Sequence, residues 1–287
     1  ASTGAVTYVG DAEAAAILSG AGADKITLAT ATLVASTGVT AISASASTGA
    51  GNDVVTVITT GSGTTTINAG AGDDTVNVTS RGTGALSVSL GDGVDKFTSA
   101  VAVTAGDSID AGAGVDTLSL ALVGSANIGA FAGFDVFDTA ALGTKTLDVD
   151  ILASKNTVSE FVASGDIGGT ASLVNIGAGV GFRSTASFTG SVELTQKVAG
   201  ALNVTVDADE TATADTAIDT VAATVVATNA TSVNAVFDTA FKAGIAGEIA
   251  LGDNVATLNL TANDAAAVSI VSGGALAADG DGLLPPD

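Results

Sequence analysis

The 287-residue chain has no cysteine, histidine, methionine or tryptophan, and only one tyrosine and two prolines. Without cysteine there is no disulfide framework and no thiolate site. Without cysteine and histidine together, zinc sites of the usual kind and nucleophile–histidine catalytic centres are excluded. Basic residues are scarce as well: 8 Lys and Arg stand against 30 Asp and Glu, a formal net charge of −22. Nucleic acids select basic faces, so this balance argues against a nucleic-acid partner and against anionic membrane surfaces. No stretch approaches about 18 consecutive apolar residues, so no membrane insertion is expected. Paired carboxylates can hydrolyse glycosides, but the aromatic platforms that accompany such sites are missing here. The few cations are scattered, and no glycine-rich turn carries the lysine of a phosphate-binding loop. No catalytic constellation emerges, and an enzyme is not expected.

What is present is glycine, 37 residues of it, in a repeated turn. The pattern G-x-G-x-D occurs at Gly20, Gly22 and Asp24; at Gly49, Gly51 and Asp53; at Gly70, Gly72 and Asp74; at Gly91, Gly93 and Asp95; and at Gly112, Gly114 and Asp116. Two residues past each Asp stands a large apolar side chain: Ile26, Val55, Val76, Phe97 and Leu118. The last four Asp residues are 21 residues apart, and Ile67, Val88 and Ile109 share that spacing. A fixed period of this size marks a repeat architecture with one supersecondary unit per period. Each repeat holds two apolar runs that alternate with polar residues, and period two means strand. Two strands and two turns make one rung of a right-handed parallel β-solenoid.

The turn residues point to a cation. Alternate glycines permit positive φ and leave carbonyls unshielded. Stacked rungs bring those carbonyls beside a neighbour's carboxylate. Ca²⁺ takes six to eight oxygens at roughly 2.3–2.6 Å, whereas Mg²⁺ demands a tighter octahedron. Carboxylates stacked without a cation would repel one another. All fifteen Gly and Asp positions above are therefore candidate Ca²⁺-binding residues. The interval from Asp24 to Asp53 is 29 residues, an insertion of 29 − 21 = 8 that makes the first site the least regular.

The motif resembles the RTX nonapeptide G-G-x-G-x-D-x-U-x, in which U is a large apolar residue. The first glycine is replaced in every copy, by Ser19, Thr48, Ala69, Leu90 and Ala111. One turn per rung carries the pattern, so a single calcium row along one edge is expected. The facing turns, Gly61-Ser62-Gly63, Arg81-Gly82-Thr83-Gly84 and Ala105-Gly106-Asp107, lack it. Calcium-binding, secreted proteins of this family fold outside the cell after type I secretion. Ala1-Ser2-Thr3-Gly4 does not read as a leader, and Leu283-Leu284-Pro285-Pro286-Asp287 is not identifiable as a terminal secretion signal. A piece of a longer precursor fits both ends.

Residues 1–122 are expected to form the calcium-binding solenoid, and residues 123–287 a β-rich region in which the motif decays. There, short Thr- and Val-rich strands recur and read as a further solenoid or a sandwich. Gly177-Ala178-Gly179-Val180-Gly181-Phe182 and Leu251-Gly252-Asp253-Asn254 keep the turn shape without the motif Asp. Phe131, Phe134, Phe137 and Phe161 are expected to plug or widen the core. Three acidic groups remain: Asp148 and Asp150, whose period-two spacing puts both carboxylates on one strand face; Asp207 to Glu210, which reads as a solvated loop with a further Ca²⁺ site as the lesser alternative; and Asp279 with Asp281, which reads as a mobile segment.

The Thr/Ala/Val-rich composition resembles the Gram-negative RTX S-layer proteins of the Caulobacter type. That resemblance implies an extracellular, cell-surface structural protein that self-assembles on calcium into a lattice or filament. Copies of itself are the expected partner, with cell-surface polysaccharide a second candidate. An adhesin or biofilm-matrix module, or the calcium-dependent accessory domain of a type I-secreted enzyme, are the alternatives.

Overall fold

The computed structural model describes residues 7–11, 15–29, 44–59, 62–186, 190–206, 223–237, 247–251, 257–262 and 268–272. The strands in order are β1 (Thr7–Asp11), β2 (Ala15–Leu18), β3 (Lys25–Ala29), β4 (Ala44–Ala50), β5 (Val54–Ile58), β6 (Thr65–Ala71), β7 (Thr75–Ser80), β8 (Leu86–Gly93), β9 (Lys96–Ser99), β10 (Ser108–Gly114) and β11 (Thr117–Ser119). They continue as β12 (Phe131–Ala132), β13 (Val136–Asp138), β14 (Thr146–Asp148), β15 (Glu160–Ala163), β16 (Thr170–Ile176), β17 (Gly181–Ser184), β18 (Gly190–Val206), β19 (Ala223–Phe237), β20 (Gly247–Leu251), β21 (Thr257–Ala262) and β22 (Val268–Ser272). Two single 3-10 turns and one helix, α1 (Val149–Ala153), are the helical pieces among the described residues. No helix among them is long and apolar enough to cross a membrane. The protein is an all-β parallel solenoid, as its period predicts. Two compact units are present: residues 1–137 with 151–158, and residues 138–150 with 159–287.

In the first unit, β1, β3, β5, β7, β9 and β11 form one parallel sheet, and β2, β4, β6, β8, β10 and β12 form the other. The register follows the period. Val55 lies beside Val76, and Val76 beside Phe97; Ile67 lies beside Val88, and Val88 beside Ile109. A rung is thus one strand of each sheet joined by the G-x-G-x-D turn, with a second turn leading to the next rung. Side chains alternate in and out. Ile26, Val55, Val76, Phe97 and Leu118 form one buried column, and Ile67, Val88 and Ile109 another. Each such burial stabilises by about 1.5–3 kcal/mol, which is why a charge in either column would open its rung. The outward positions are small and polar: Thr66 and Asn68 on β6, Ser87 and Ser89 on β8.

The Ala-rich run before the first motif is strand at Ala15–Leu18, laddered onto β4, and so belongs to the first rung rather than to a helix. The alternating stretch Val39-Thr40-Ala41-Ile42, which reads as a strand of the same rung pattern, lies outside the described residues. Phe131, Phe134 and Phe137 are fully buried, and the first two meet edge to face at 6.4 Å. They fill core and offer no surface platform.

Every pairing among the described residues of the second unit is parallel too. β15 pairs with β17 and β14 with β16, β18 receives both β16 and β17, and β19 joins β18 to β20 and β21. This is the solenoid of the two alternatives, since a sandwich is built from antiparallel sheets. β18 and β19 stay paired through register shifts between Thr195 and Ala201, so they turn a corner without leaving the ladder. Asn203, Asn234 and Asn259 hold that ladder on its outer side with amide-to-amide hydrogen bonds of 2.9 and 2.8 Å. Gly177 to Val180 forms a turn before β17, and Phe182 beyond it is buried, as the decayed motif predicts. Asp148 and Asp150 do not share a strand face: Asp148 ends β14, Asp150 lies in α1, and its N–H donates to Asp148 Oδ1 at 3.0 Å. The Asp207 to Glu210 and Asp279 to Asp281 groups, and the turn after Leu251, lie outside the described residues.

Candidate metal centre

The five motif aspartates stand at one corner of the first unit, each immediately before a strand of the odd-numbered sheet. The inward turn of the backbone at that point buries them: none is more than 2% exposed. They form a directional ladder. The N–H of Asp24 donates to Asp53 Oδ1 at 2.6 Å, that of Asp53 to Asp74 Oδ1 at 2.8 Å, that of Asp74 to Asp95 Oδ1 at 2.7 Å, and that of Asp95 to Asp116 Oδ1 at 2.7 Å. Asp53, Asp74, Asp95 and Asp116 therefore each spend one oxygen on the rung before them. The other oxygen, Oδ2, is buried without a hydrogen-bond partner in Asp53, Asp74, Asp95 and Asp116.

Neighbouring strands lie about 4.8 Å apart, so the column sets buried carboxylates close together. Burial is the first cause of the altered acidity of Asp74, Asp95 and Asp116. It pushes Asp74 up from the ordinary 3.8 to about 7, against the Asp53 N–H that lowers it, and the charges of Asp53, Asp95 and Asp73 add to the rise. Asp116 is pushed up to about 6 by burial and by the charges of Asp95 and Asp135, again opposed by a backbone N–H. Asp95 is raised for the same first reason.

The glycines have a steric task of their own. Gly70 and Gly91 sit at φ +116 and +122, and a Cβ there would fall 1.9 and 1.7 Å from the carbonyl oxygen of the glycine one rung earlier. Rungs stack this closely only where the later residue lacks a side chain. The missing first glycine of the nonapeptide is explained as well. Ser19, Thr48, Ala69, Leu90 and Ala111 point inward and are buried, so that position belongs to the core. Ser19 and Thr48 turn this to use: Ser19 Oγ donates to the Thr48 carbonyl and Thr48 Oγ1 to that of Ala69.

A second, exposed ladder runs at the residues before Asp53, Asp74 and Asp95. Asp73 N–H donates to Asn52 Oδ1 at 3.0 Å, and Val94 N–H to Asp73 Oδ1 at 2.9 Å. Among the described residues no three acidic side chains gather into a cage. A cation here would be held by one or two carboxylates and backbone carbonyls. The residues fit such an ion on one observation: four consecutive rungs each present a buried, partnerless carboxylate oxygen, a hard anionic donor of the kind Ca²⁺ takes.

Two residues that the period does not mark likewise accept a backbone N–H from the rung before. Asp135 lies 19 residues past Asp116 and accepts its N–H through Oδ2 at 3.3 Å. The sequence signal was there in Gly133, Asp135 and the apolar Phe137 at the usual offset. Asp107, in the facing turn, accepts the N–H of Leu86 at 2.8 Å, one rung earlier. Its charge is met by Arg81, 2.7 Å away.

The fold and the column together define a class: a parallel β-solenoid with a spine of buried carboxylates along one corner. No protein-family model, curated protein or solved structure matches the chain.

Proposed function

We propose that this is an extracellular structural protein of the cell surface, folded by calcium and assembled from copies of itself. The observation that supports it is the run of partnerless Oδ2 atoms on Asp53, Asp74, Asp95 and Asp116. A buried carboxylate with an unpaired oxygen costs stability. Four in a row on a chain of net charge −22 cost more. Bound calcium would supply the positive charge that the column lacks.

The chain's own residues do the rest. The Oδ1 atoms and backbone N–H groups lock the aspartates in register from rung to rung. Glycines let the turns approach. The apolar columns hold the two sheets together once the corner is neutral. Binding free energy then appears as folding free energy: about 2.7 kcal/mol for each site at a calcium concentration of 100 times its Kd. Low cytoplasmic calcium leaves the charged corner repelling itself and the folded state marginal, which suits export; millimolar calcium outside closes it. The reading keeps the likeness to RTX-type S-layer proteins and involves no catalytic step. Outward rows of small polar residues suit contact with further copies, and cell-surface polysaccharide is the other proposed partner.

The test is circular dichroism with light scattering during a calcium titration, with magnesium as control. A calcium-specific gain of β-signal followed by ordered assembly supports the proposal. A gain without assembly favours an adhesin or an accessory domain. An unchanged spectrum overturns the metal reading.

A further inference from the structure

The ladder does not stop where the motif stops. Asp116 N–H donates to Asp135 Oδ2 at 3.3 Å, and in return the N–H groups of Asp135 and Val136 donate to the Asp116 carbonyl at 3.1 and 3.0 Å. Three further features match the motif rungs. Gly133 has positive φ, and a Cβ there would meet Gly112 N at 2.7 Å and Asp110 Oδ1 at 2.8 Å. Phe137, two residues past Asp135, is fully buried, like Leu118 after Asp116. β12 continues the even-numbered sheet, with Phe131 beside Ile109. One rung on, the chemistry changes. Phe134 N–H donates to Asn156 Oδ1 at 2.9 Å, and Asn156 Nδ2 donates to the carbonyls of Phe131 and Leu152 at 3.1 and 2.8 Å. That amide satisfies its neighbours without any charge.

We propose that Asp135 is the sixth carboxylate of the cation column, completing the site at Asp116, and that the neutral Asn156 ends the column. The assignment rests on the calcium reading above. It adds a ligand that the repeat does not contain, and it makes the last site unlike the others, built from one motif carboxylate and one outside the motif. Asn156 satisfies the N–H of Phe134, the residue before Asp135, and the Asp135 N–H is taken by the Asp116 carbonyl, so no N–H is left for a seventh carboxylate.

The test compares calcium stoichiometry of the full chain, by equilibrium dialysis with metal analysis, for the parent, Asp135→Asn and Asp150→Asn. Asp150 is exposed, paired with Lys197, and serves as the control. Asp135→Asn keeps an oxygen for the Asp116 N–H and removes only the charge. The expected result is one ion fewer per chain for Asp135→Asn and no change for Asp150→Asn. An unchanged count in Asp135→Asn overturns the assignment while leaving the calcium reading intact; a parent that binds no calcium removes both. Should the variant fail to fold, the unsubstituted chain still decides. The amide resonances of Asp135 and Asp116 must shift together on titration, and a stationary Asp135 amide refutes its role.

Discussion

Arg81 Nη1 lies 2.7 Å from Asp107 Oδ1 at the corner facing the carboxylate column, with the Asp107 side chain wholly buried. Both oxygens of the Asp107 carboxylate are used. Asp107 accepts from Leu86 and Thr104 N–H groups and from the Thr104 hydroxyl, and Arg81 also donates to the carbonyls of Gly84 and Ala102. Burial alone would raise Asp107; these donors outweigh it and hold the carboxyl below its ordinary 3.8. The same hydrogen bond, from a backbone N–H to a carboxylate 21 residues on, thus occurs at both corners. One corner carries its own cation and the other does not.

Removing that resident cation should be costly in any medium. Arg81→Leu leaves a buried, unpaired Asp107 charge, and losses of this kind run to about 3 kcal/mol or more. Asp107 contributes its stability above its ordinary pKa and loses it as pH falls through the lowered value. Arg81→Leu should therefore lower the melting temperature near neutral pH by the same amount in calcium and in EDTA. If added calcium restores the variant, the facing corner is a cation site too.

The column predicts the opposite pH response. Between the ordinary 3.8 and about 7, folded Asp74 holds a proton that the unfolded chain has released. Stability of the calcium-free protein should then fall as pH rises through that window, and Asp116 adds a fall that ends at about 6. Denaturant melts in EDTA at pH 5 and pH 8 measure it, with the pH 5 sample expected to be the more stable. Saturating calcium should remove the difference, because an ion in place of the proton makes the charged form the favoured one.

Much of this was legible from residues alone. The 21-residue spacing of Asp53, Asp74, Asp95 and Asp116 carried the rungs, and the apolar residue two places on carried the direction of each strand. Both signals are local and repeat, so they survive without tertiary information. Asp135 was hidden because its rung is two residues short, 19 rather than 21, and lacks the first glycine of the motif. Asp107 was hidden for another reason: its role depends on Arg81, 26 residues away, and no short motif encodes such a pair. The strand pair at Asp148 to Asp150 misled because period two also fits a strand end running into a helix.

Steric and electrostatic roles of the motif can be separated by substitution. Gly70→Ala would place a Cβ 1.9 Å from the Gly49 carbonyl oxygen at φ +116, a conflict that no side-chain adjustment relieves because both partners are backbone. A loss beyond about 2 kcal/mol is expected, and calcium should not rescue it. Val76→Asp, in the fully buried column, should likewise abolish the folded state with or without the ion. Recovery of either variant by millimolar calcium, followed by circular dichroism, would show that metal rather than packing sets the stack.

Asp74→Asn with Asp95→Asn should split the two roles of the carboxylate. An asparagine Oδ1 can still accept the N–H of the preceding rung, as Asn156 does for Phe134. The repulsion and the desolvated charge disappear. In EDTA at pH 8 the double variant should therefore be more stable than the parent, although deleting two buried carboxylates would ordinarily be read as damage. In calcium the order should reverse, because the parent gains binding energy at two rungs where the variant has none. Asp74→Ala with Asp95→Ala removes the hydrogen bonds as well and should be weaker than the parent in both media. Urea midpoints for the three proteins, each with and without calcium, check this. If the asparagine variant is the less stable one in EDTA, the column is a structural hydrogen-bond ladder that does not require a counter-ion. A crossing of the two curves is what a corner built for a cation requires.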